Sequence, residues 1–489
     1  MADTVAPRLF RGLRDLMPEQ MQARQWMIDT IRAVYERYGF VPLGTPAIEY
    51  RDVLFGSAGA EAQSQTFGVH NPDCGPHTPD EDRLALRFDL TVPLARVVAQ
   101  YADLPRPFRR YQVASVWRAD KPDRGRFREF TQFDIDSVGV ESEIADTEII
   151  TGMCDTLSAL KVGPYQVRFS SRKVLNLLMP YAGIPPERAK DVFRVLDKLD
   201  KIGPKKLRLE LTEGYVDKSG DPIPGLGLDN QQVDKIERFL AIRSDKREGV
   251  LSQLRELFSK TPGAAVEIDA LARISGHLQA LDYGDDQAVI DLSVARGLAY
   301  YTGPVFEAVL LDAPQFGSVF AGGRYDELVM RFLGERLPAT GASIGVDRLL
   351  AALLELDRIP LRKATARVLV STIDAEMMSE YVAMTYELRR ASIPAEVYLG
   401  SGKRIGKQIK YADRYGIPIT ILYGSNEKAA GKVVLKDMAA GRAKAEHIGG
   451  REQWREERPG QIEVPRQELV SHVRELLVRI DAENRSEGG

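Results

Sequence analysis

Two β-patterned runs, Arg110 to Trp117 and Phe130 to Val138, flank a loop rich in Pro, Gly and Arg. Runs so placed read as an antiparallel hairpin with a long charged tip, which commits this part of the chain to a sheet. Between Arg106 and Arg128 stand Arg106, Arg109, Arg110, Arg118, Lys121, Arg124, Arg126 and Arg128 against only Asp120 and Asp123, with Phe108, Tyr111, Trp117 and Phe127 interleaved. The whole chain carries 67 basic and 70 acidic residues, a net charge of −3, so this surplus is local. Arg126 and Arg128 are two apart and would point the same way on a strand, while Arg118 ends the partner run. Converging guanidiniums suit a phosphate, which they grip bidentately; a solvated basic loop is the plain alternative.

Downstream of the tip, Gln132, Asp134 and Asp136 alternate with Phe133 and Ile135 and would line one sheet face. Such a row is either solvent-facing polarity or a floor for a small cationic or amine-bearing ligand. The block Arg296 to Glu307 sets an Arg and the pair Tyr300 and Tyr301 beside glycines, and Gly322 to Asp326 adds Arg324. Gly341 to Arg348 reads as a Gly-rich turn entering an apolar helix, where backbone amides favour anions.

Around these segments the 489 residues suggest about three domains. Asp15 to Gly39 has Met21, Trp26, Ile28, Ile31, Val34 and Tyr35 at helical spacing before a glycine stop, and a Pro-containing extended piece follows to Glu49. Thr91 to Tyr101 is a second helix pattern. Residues from about 180 to 285 are helical and read as an insertion. Beyond the linker Leu361-Arg362-Lys363, short strands at Arg367–Ser371, Glu396–Leu399, Ile419–Tyr423 and Lys432–Lys436 alternate with helix-length segments, the pattern of an α/β domain. Apolar residues make up 44% and charged residues 28%, a soluble globular balance. Two cysteines, no secretory h-region and no long apolar run point to the cytoplasm, with no membrane partner. His70, Cys74 and His77 lack a fourth ligand for zinc, so no metal site is expected. Gly400 to Lys403 lacks the rest of a phosphate loop, and five scattered histidines leave little for a Ser-His-Asp triad.

Taken in order, these segments resemble class II aminoacyl-tRNA synthetases, and within them the histidyl-tRNA synthetase family. Phe10 to Pro18 is similar to the family's opening signature, the helix and strand ending at Pro46 to motif 1 of the dimer interface, Arg118 to Gln132 to motif 2, and Gly341 to Arg348 with its helix to motif 3. Arg296 to Glu307 and Gly322 to Leu328 resemble the histidine-specific blocks. The resemblance implies an α+β fold: an antiparallel β-sheet catalytic core flanked by helices, in residues 1–179 and 286–362, with a helical insertion at 180–285 and a C-terminal α/β anticodon-binding domain at 366–489.

It further implies a homodimer that adenylates L-histidine with ATP and Mg²⁺, then passes the histidyl group to the 3′ end of tRNA-His. Arg118 would hold the α-phosphate, Arg348 the γ-phosphate end, Phe130 the adenine, and Arg126 would lie nearby. Arg296 would stabilise charge on the α-phosphate as the carboxylate attacks. Asp89, Thr91 and Gln132 would take the α-ammonium, Asp136 with Tyr301 the imidazole nitrogens, and Tyr300 would complete the histidine pocket. Asp89 and Asp136 stand where many bacterial members carry Glu and look like the eukaryotic-type branch. Ala299 replaces a common Asp, and Ala119 to Asp123 departs from the usual bacterial run that reads the extra 5′ G of tRNA-His. Two other readings stay open: an inert paralogue that senses histidine for its biosynthetic pathway, opposed by the retained Arg118, Arg296 and Arg348, and a class IIa ligase for another amino acid, opposed by the histidine-specific blocks.

Overall fold

The computed structural model describes residues 5–487, apart from 56–64, 71–78, 80–81, 197, 218–219, 295–300, 360, 401–403 and 441–459. The chain divides into two compact units, residues up to Asp15 with Arg24–Ile359, and Leu16–Ala23 with residues from 360 onward.

The first unit is built on an eight-stranded sheet: β1 (Val41–Pro42), β2 (Phe108–Trp117), β3 (Glu129–Val138), β4 (Tyr165–Ser171), β5 (Ala288–Ile290), β6 (Pro304–Leu310), β7 (Ser318–Arg324) and β8 (Ala339–Gly345). Their spatial order is β1-β2-β3-β8-β7-β6-β4-β5. The inner pairings are antiparallel, while β1 and β5 join the two margins in parallel. A proline with no N–H to donate suits the margin, and Pro42 sits there.

The expected hairpin forms from β2 and β3, and its register pairs Arg110 with Asp136, Gln112 with Asp134, Ala114 with Gln132 and Val116 with Phe130. Directly paired residues share a face. Phe133 and Ile135 therefore lie on the opposite side, against α1 (Pro18–Arg37) and α3 (Glu143–Ala159). Tyr35 meets Phe133 edge to face at 5.0 Å, and an added Cβ at Gly152 would touch Ile135. The buried stripe of α1 is Met27, Ile31, Val34 and Tyr35; Met21 and Trp26, expected on that face, are exposed. Gly39, at φ 78°, ends the helix turn as read. Thr91–Gln100 forms α2.

Two readings need correction. Gly341 to Gly345 is not a turn but most of β8, with α4 (Val346–Glu355) starting directly after it. Its residues are small because space is short: a Cβ on Gly341 would overlap Asp136 Oδ1 and the Ile135 carbonyl. Arg126 and Arg128 do not sit on a strand, because β3 begins at Glu129.

Between β4 and β5, which are neighbours in the sheet, the chain runs through helices including Ala189–Leu196, Leu199–Leu211, Asn230–Leu240, Arg247–Leu257 and Ala264–Ala280, with one small hairpin. The buried Arg247 ties this excursion back, donating to the carbonyls of Tyr283, Gly284 and Ala288 at 2.7–3.0 Å.

The second unit has a five-stranded sheet of β9 (Val368–Val370), β10 (Ala395–Val397), β11 (Ile419–Leu422), β12 (Lys432–Asp437) and β13 (Gln461–Pro465), ordered β10-β9-β11-β12-β13. The first three are parallel and the last two antiparallel. Helices α5 (Met378–Arg390), α6 (Ile405–Tyr415) and α7 (Leu469–Glu487) accompany it. The side chain of Gln408 pins α6 to the end of β9 by donating to the Thr372 carbonyl and accepting from its N–H. Among the described residues no helix is long and apolar enough to cross a membrane.

Candidate active site

One cleft in the first unit collects Arg118, Arg126, Phe130 and Arg348, together with Asp120, Phe127, Phe320, Ser343 and Gly345, around about 680 Å³ of space partly open to solvent. Three parts of the sequence meet here for local reasons. Arg118 directly follows the hairpin's first strand, its Nε donates to the Phe88 carbonyl at 3.0 Å, and its guanidinium lies 5.2 Å from the Phe130 ring centre. Arg348 enters from the first turn of α4 and donates to the Ser318 carbonyl at 2.7 Å. The turn is anchored by buried Asp347, which accepts from Arg14 at 2.7 Å and from the Thr131 N–H at 2.5 Å. Arg126 is half-exposed in the loop, 3.9 Å from Asp120. Three guanidiniums against one carboxylate make an anion site shaped for more than one phosphate. Arg128 is not part of it: its guanidinium donates to the carbonyls of Asp120 and Arg11 and covers Phe10, fixing the opening segment to the loop.

Beyond Phe130 the same face of β3 becomes a buried acidic floor. Gln132, Asp134 and Asp136 follow in turn, and Asp89 reaches the floor from just ahead of α2, where its Oδ1 caps the Val92 N–H at 3.1 Å. Gln132 Nε2 donates to Ser343 Oγ at 2.6 Å. Arg110, wholly buried, places Nη2 2.8 Å from Asp136 Oδ2, and Tyr325 donates its hydroxyl to Asp136 Oδ1. Burial pushes the carboxyl of Asp89 up to about 6, opposed by the Val92 amide, Arg118, Arg110 and Arg331. Asp134 is pushed up to about 7, again by burial first, with Arg110 opposing and Asp136 adding to the rise. Burial also raises Asp136, against Arg110 and Tyr325. Three buried carboxylates around one such guanidinium favour a ligand that brings positive charge.

The remaining sequence-derived residues fall out as follows. Thr91 starts α2 beside Asp89, and half-buried Tyr301 packs in the apolar cluster containing Tyr325, its ring close to Gly323. Arg296 and Tyr300 lie outside the described residues, as do Ala299, Cys74, His77 and Lys403. Arg110 and Ser343 belong to the floor yet carry no distinctive motif. Reading the hairpin register outward from the loop would have found Arg110, since it pairs with Asp136. Ser343 needs the β3–β8 pairing, which no local pattern contains. Among the described residues no group of three or more His, Cys, Asp or Glu is arranged to hold a metal ion.

A mainly antiparallel sheet with its anion cleft at a hairpin tip and at the start of the helix after β8 is the catalytic core of a class II synthetase. The chain belongs to the histidyl-tRNA synthetase family: that family, described as Histidyl-tRNA synthetase, matches residues 12–349, and Anticodon binding domain matches residues 366–476. It is 44% identical over 486 residues to a histidine–tRNA ligase of Cereibacter sphaeroides, covering 96% of this chain and 97% of that one. With the histidine–tRNA ligase of Rhizobium meliloti it shares 42% identity over 99% of this chain and 97% of that one. The crystal structure of histidyl-tRNA synthetase from Nostoc sp. PCC 7120 superimposes with a TM-score of 0.79 at 30% identity, covering 96% of this chain and 100% of that one. These relatives are bacterial and lend no support to a eukaryotic-type pocket.

Proposed function

We propose that this chain is a histidine–tRNA ligase, which activates L-histidine with ATP to histidyl-adenylate and pyrophosphate and then transfers histidine to the 3′ end of tRNA-His. The observation that carries this reading is continuity: along one face of β3, an arginine-lined cleft for a polyphosphate runs directly into a buried acidic floor for a cationic ligand. In this reading Arg118 and Arg348 grip the two ends of the triphosphate, Phe130 stacks on the adenine and Arg126 closes over it. Mg²⁺ carried on the triphosphate that Arg118 and Arg348 hold would supply further neutralising charge to the phosphates. Asp89, Thr91 and Gln132 take the ammonium, so that the amino acid's carboxylate points back toward the α-phosphate. Asp136 and Tyr301 bound the ring end, and Tyr300 and Arg296 complete the pocket, Arg296 by stabilising the charge that grows on the α-phosphate. No general base is required, because the attacking carboxylate is already ionised.

Residues 1–179 and 286–362 are the two parts of the catalytic core in this proposal, 180–285 its helical insertion, and 366–489 the anticodon-binding domain. On α6, Lys407, Lys410 and Arg414 are exposed at three- and four-residue steps and present one basic face to tRNA phosphates. Trp26 and Val41 on the motif 1 segment, with Ile48 and Tyr50 just after it, leave apolar surface exposed, which supports a homodimer through it; sedimentation equilibrium tests this. The place of work is the cytoplasm, where translation occurs.

ATP–pyrophosphate exchange with each of the twenty amino acids, without tRNA, tests the central claim. Exchange with histidine alone is expected. Exchange with another amino acid, or histidine binding without exchange, overturns it in favour of a different ligase or a histidine-sensing paralogue.

A further inference from the structure

Arg118 and Arg126 belong to the connection between β2 and β3, and Arg348 to α4, so the width a triphosphate must bridge depends on how that loop is held against the helix. The opening turn of the chain fixes the base of the loop. The Gly12 carbonyl accepts from the Arg128 N–H at 2.9 Å, and the Arg11 carbonyl from the Arg128 guanidinium at 3.0 Å. Gly12 has φ 92°, and a Cβ there would stand 2.8 Å from Pro122 Cγ and 2.9 Å from Arg128 Cδ, so the turn presses on both arms of the loop and needs a glycine. Two residues further on, Arg14 makes a contact of another kind. Its guanidinium lies 3.6 Å from the centre of the Phe127 ring, and Phe127 lines the cleft. The same guanidinium donates from Nη2 to Asp347 Oδ1 at 2.7 Å, and Asp347 immediately precedes Arg348. The other oxygen of Asp347 accepts from the Thr131 N–H at 2.5 Å. One side chain therefore joins the loop wall of the cleft to the residue beside the guanidinium on its far side.

We propose that Arg14 is a positioning residue for the nucleotide: stacked on Phe127 and bonded to Asp347, it sets the separation between the β2–β3 loop and the helix that carries Arg348. This rests on the histidine-ligase reading above. An ion pair kept for stability alone is the plainer reading, and two observations count against it. Asp347 has a second cation, since Arg24 stands 3.7 Å from the same oxygen and donates to Thr131 Oγ1 at 3.3 Å, so the start of α4 stays anchored without Arg14. The flat face of Arg14, by contrast, is spent on a ring that is half-buried at the cleft and not packed in the core. A guanidinium is suited to both tasks at once, because it stacks on an aromatic face while its edge donates to a carboxylate. Arg126 is the neighbour of Phe127 in sequence, so the placement of this ring also decides how near Arg126 stands to Arg348. A displacement of about 1 Å in such a constellation is enough to weaken the grip on a ligand that must touch both sides.

The test is histidine-dependent ATP–pyrophosphate exchange by the full chain and its variants Arg14→Ala, Arg14→Lys, Phe127→Leu and the double variant Arg14→Ala/Phe127→Leu. The wild type must first show exchange with histidine; if it does not, the ligase reading itself fails, and that failure is separate from this one. Arg14→Ala is expected to raise KM for ATP by about 5- to 30-fold, the weight of a cation–π contact together with a hydrogen bond to a charged group, and to leave KM for histidine unchanged. Arg14→Lys supplies Asp347 with a cation but offers Phe127 no flat face, so it should restore thermal stability and recover KM for ATP only in part. Phe127→Leu should also raise KM for ATP, and the double variant should be no worse than the worse single one, because the two residues act as a unit. Unchanged KM for ATP in Arg14→Ala overturns the proposal. So does an equal rise for both substrates with lowered thermal stability, full rescue by lysine, or a double variant whose defects multiply. Should Arg14→Ala fail to fold, Arg14→Lys decides: a selective rise in KM for ATP supports the assignment, and a wild-type value refutes it.

Discussion

Replacing Arg110 by Met should be among the most damaging single changes in the catalytic sheet. The side chains of Arg110 and Asp136 are 0% and 3% exposed, so their ion pair lies outside the reach of solvent screening. Removing one partner of such a pair costs about 3–5 kcal/mol, because the other charge is left buried and uncompensated. The carboxylates can respond by taking up a proton, and this gives the loss a direction in pH. Asp134, Asp136 and Asp89 are already raised above the ordinary carboxylate range by burial, and Arg110 opposes the rise in each. Without Arg110 their values climb further. A group whose folded value is raised contributes stability at low pH that is lost as pH rises through that value. Arg110→Met should therefore be least harmful near pH 5 and most harmful near pH 8. Hydrogen exchange of the β2 and β3 amides reads the effect locally, and a loss of about 3 kcal/mol corresponds to exchange faster by about two orders of magnitude. Arg110→Met/Asp136→Leu, which removes both charges, should recover most of the stability. A single variant whose exchange rises less than fivefold at pH 8, or equally at pH 5 and pH 8, would refute the reasoning.

Three further outcomes follow from the same geometry. Gly341→Ala sets a Cβ against Asp136 Oδ1 and the Ile135 carbonyl, so it should cost about 1–3 kcal/mol in thermal unfolding and raise KM for histidine more than KM for ATP. Arg348→Ala removes a guanidinium from the far side of the cleft and should raise KM for ATP at least tenfold, while calorimetric binding of histidine alone stays unchanged. Because Asp89 titrates at about 6, KM for histidine should rise as pH falls from about 7 to 5 and the carboxylate loses the charge that holds the ammonium; Asp89→Asn should have a high KM with a flatter pH profile over that span.

The hairpin, the helix after Asp15, α2 and the alternating C-terminal strands were all legible in the chain, because each is stated by periodicity and by where Gly and Pro stand. The cleft residues Arg118, Phe130 and Arg348 were legible through motifs, and the alternation of Gln132, Asp134 and Asp136 was visible as a polar row. What local pattern misjudged depends on neighbours that are distant in sequence. Gly341 to Gly345 looks like a turn because a central strand is usually marked by large side chains, and here β3 and β7 leave no room for them. β13 carries polar residues at an edge and shows little strand signal of its own. By itself the sequence determined which residues could bind phosphate and which could bind a cation. Only the tertiary structure decided that β8 inserts beside β3, that Arg110 and Tyr325 both engage Asp136, and that Asp134 is left with an open oxygen. Those outcomes depend on strand order and on the exclusion of water, and neither exists until the sheet has closed.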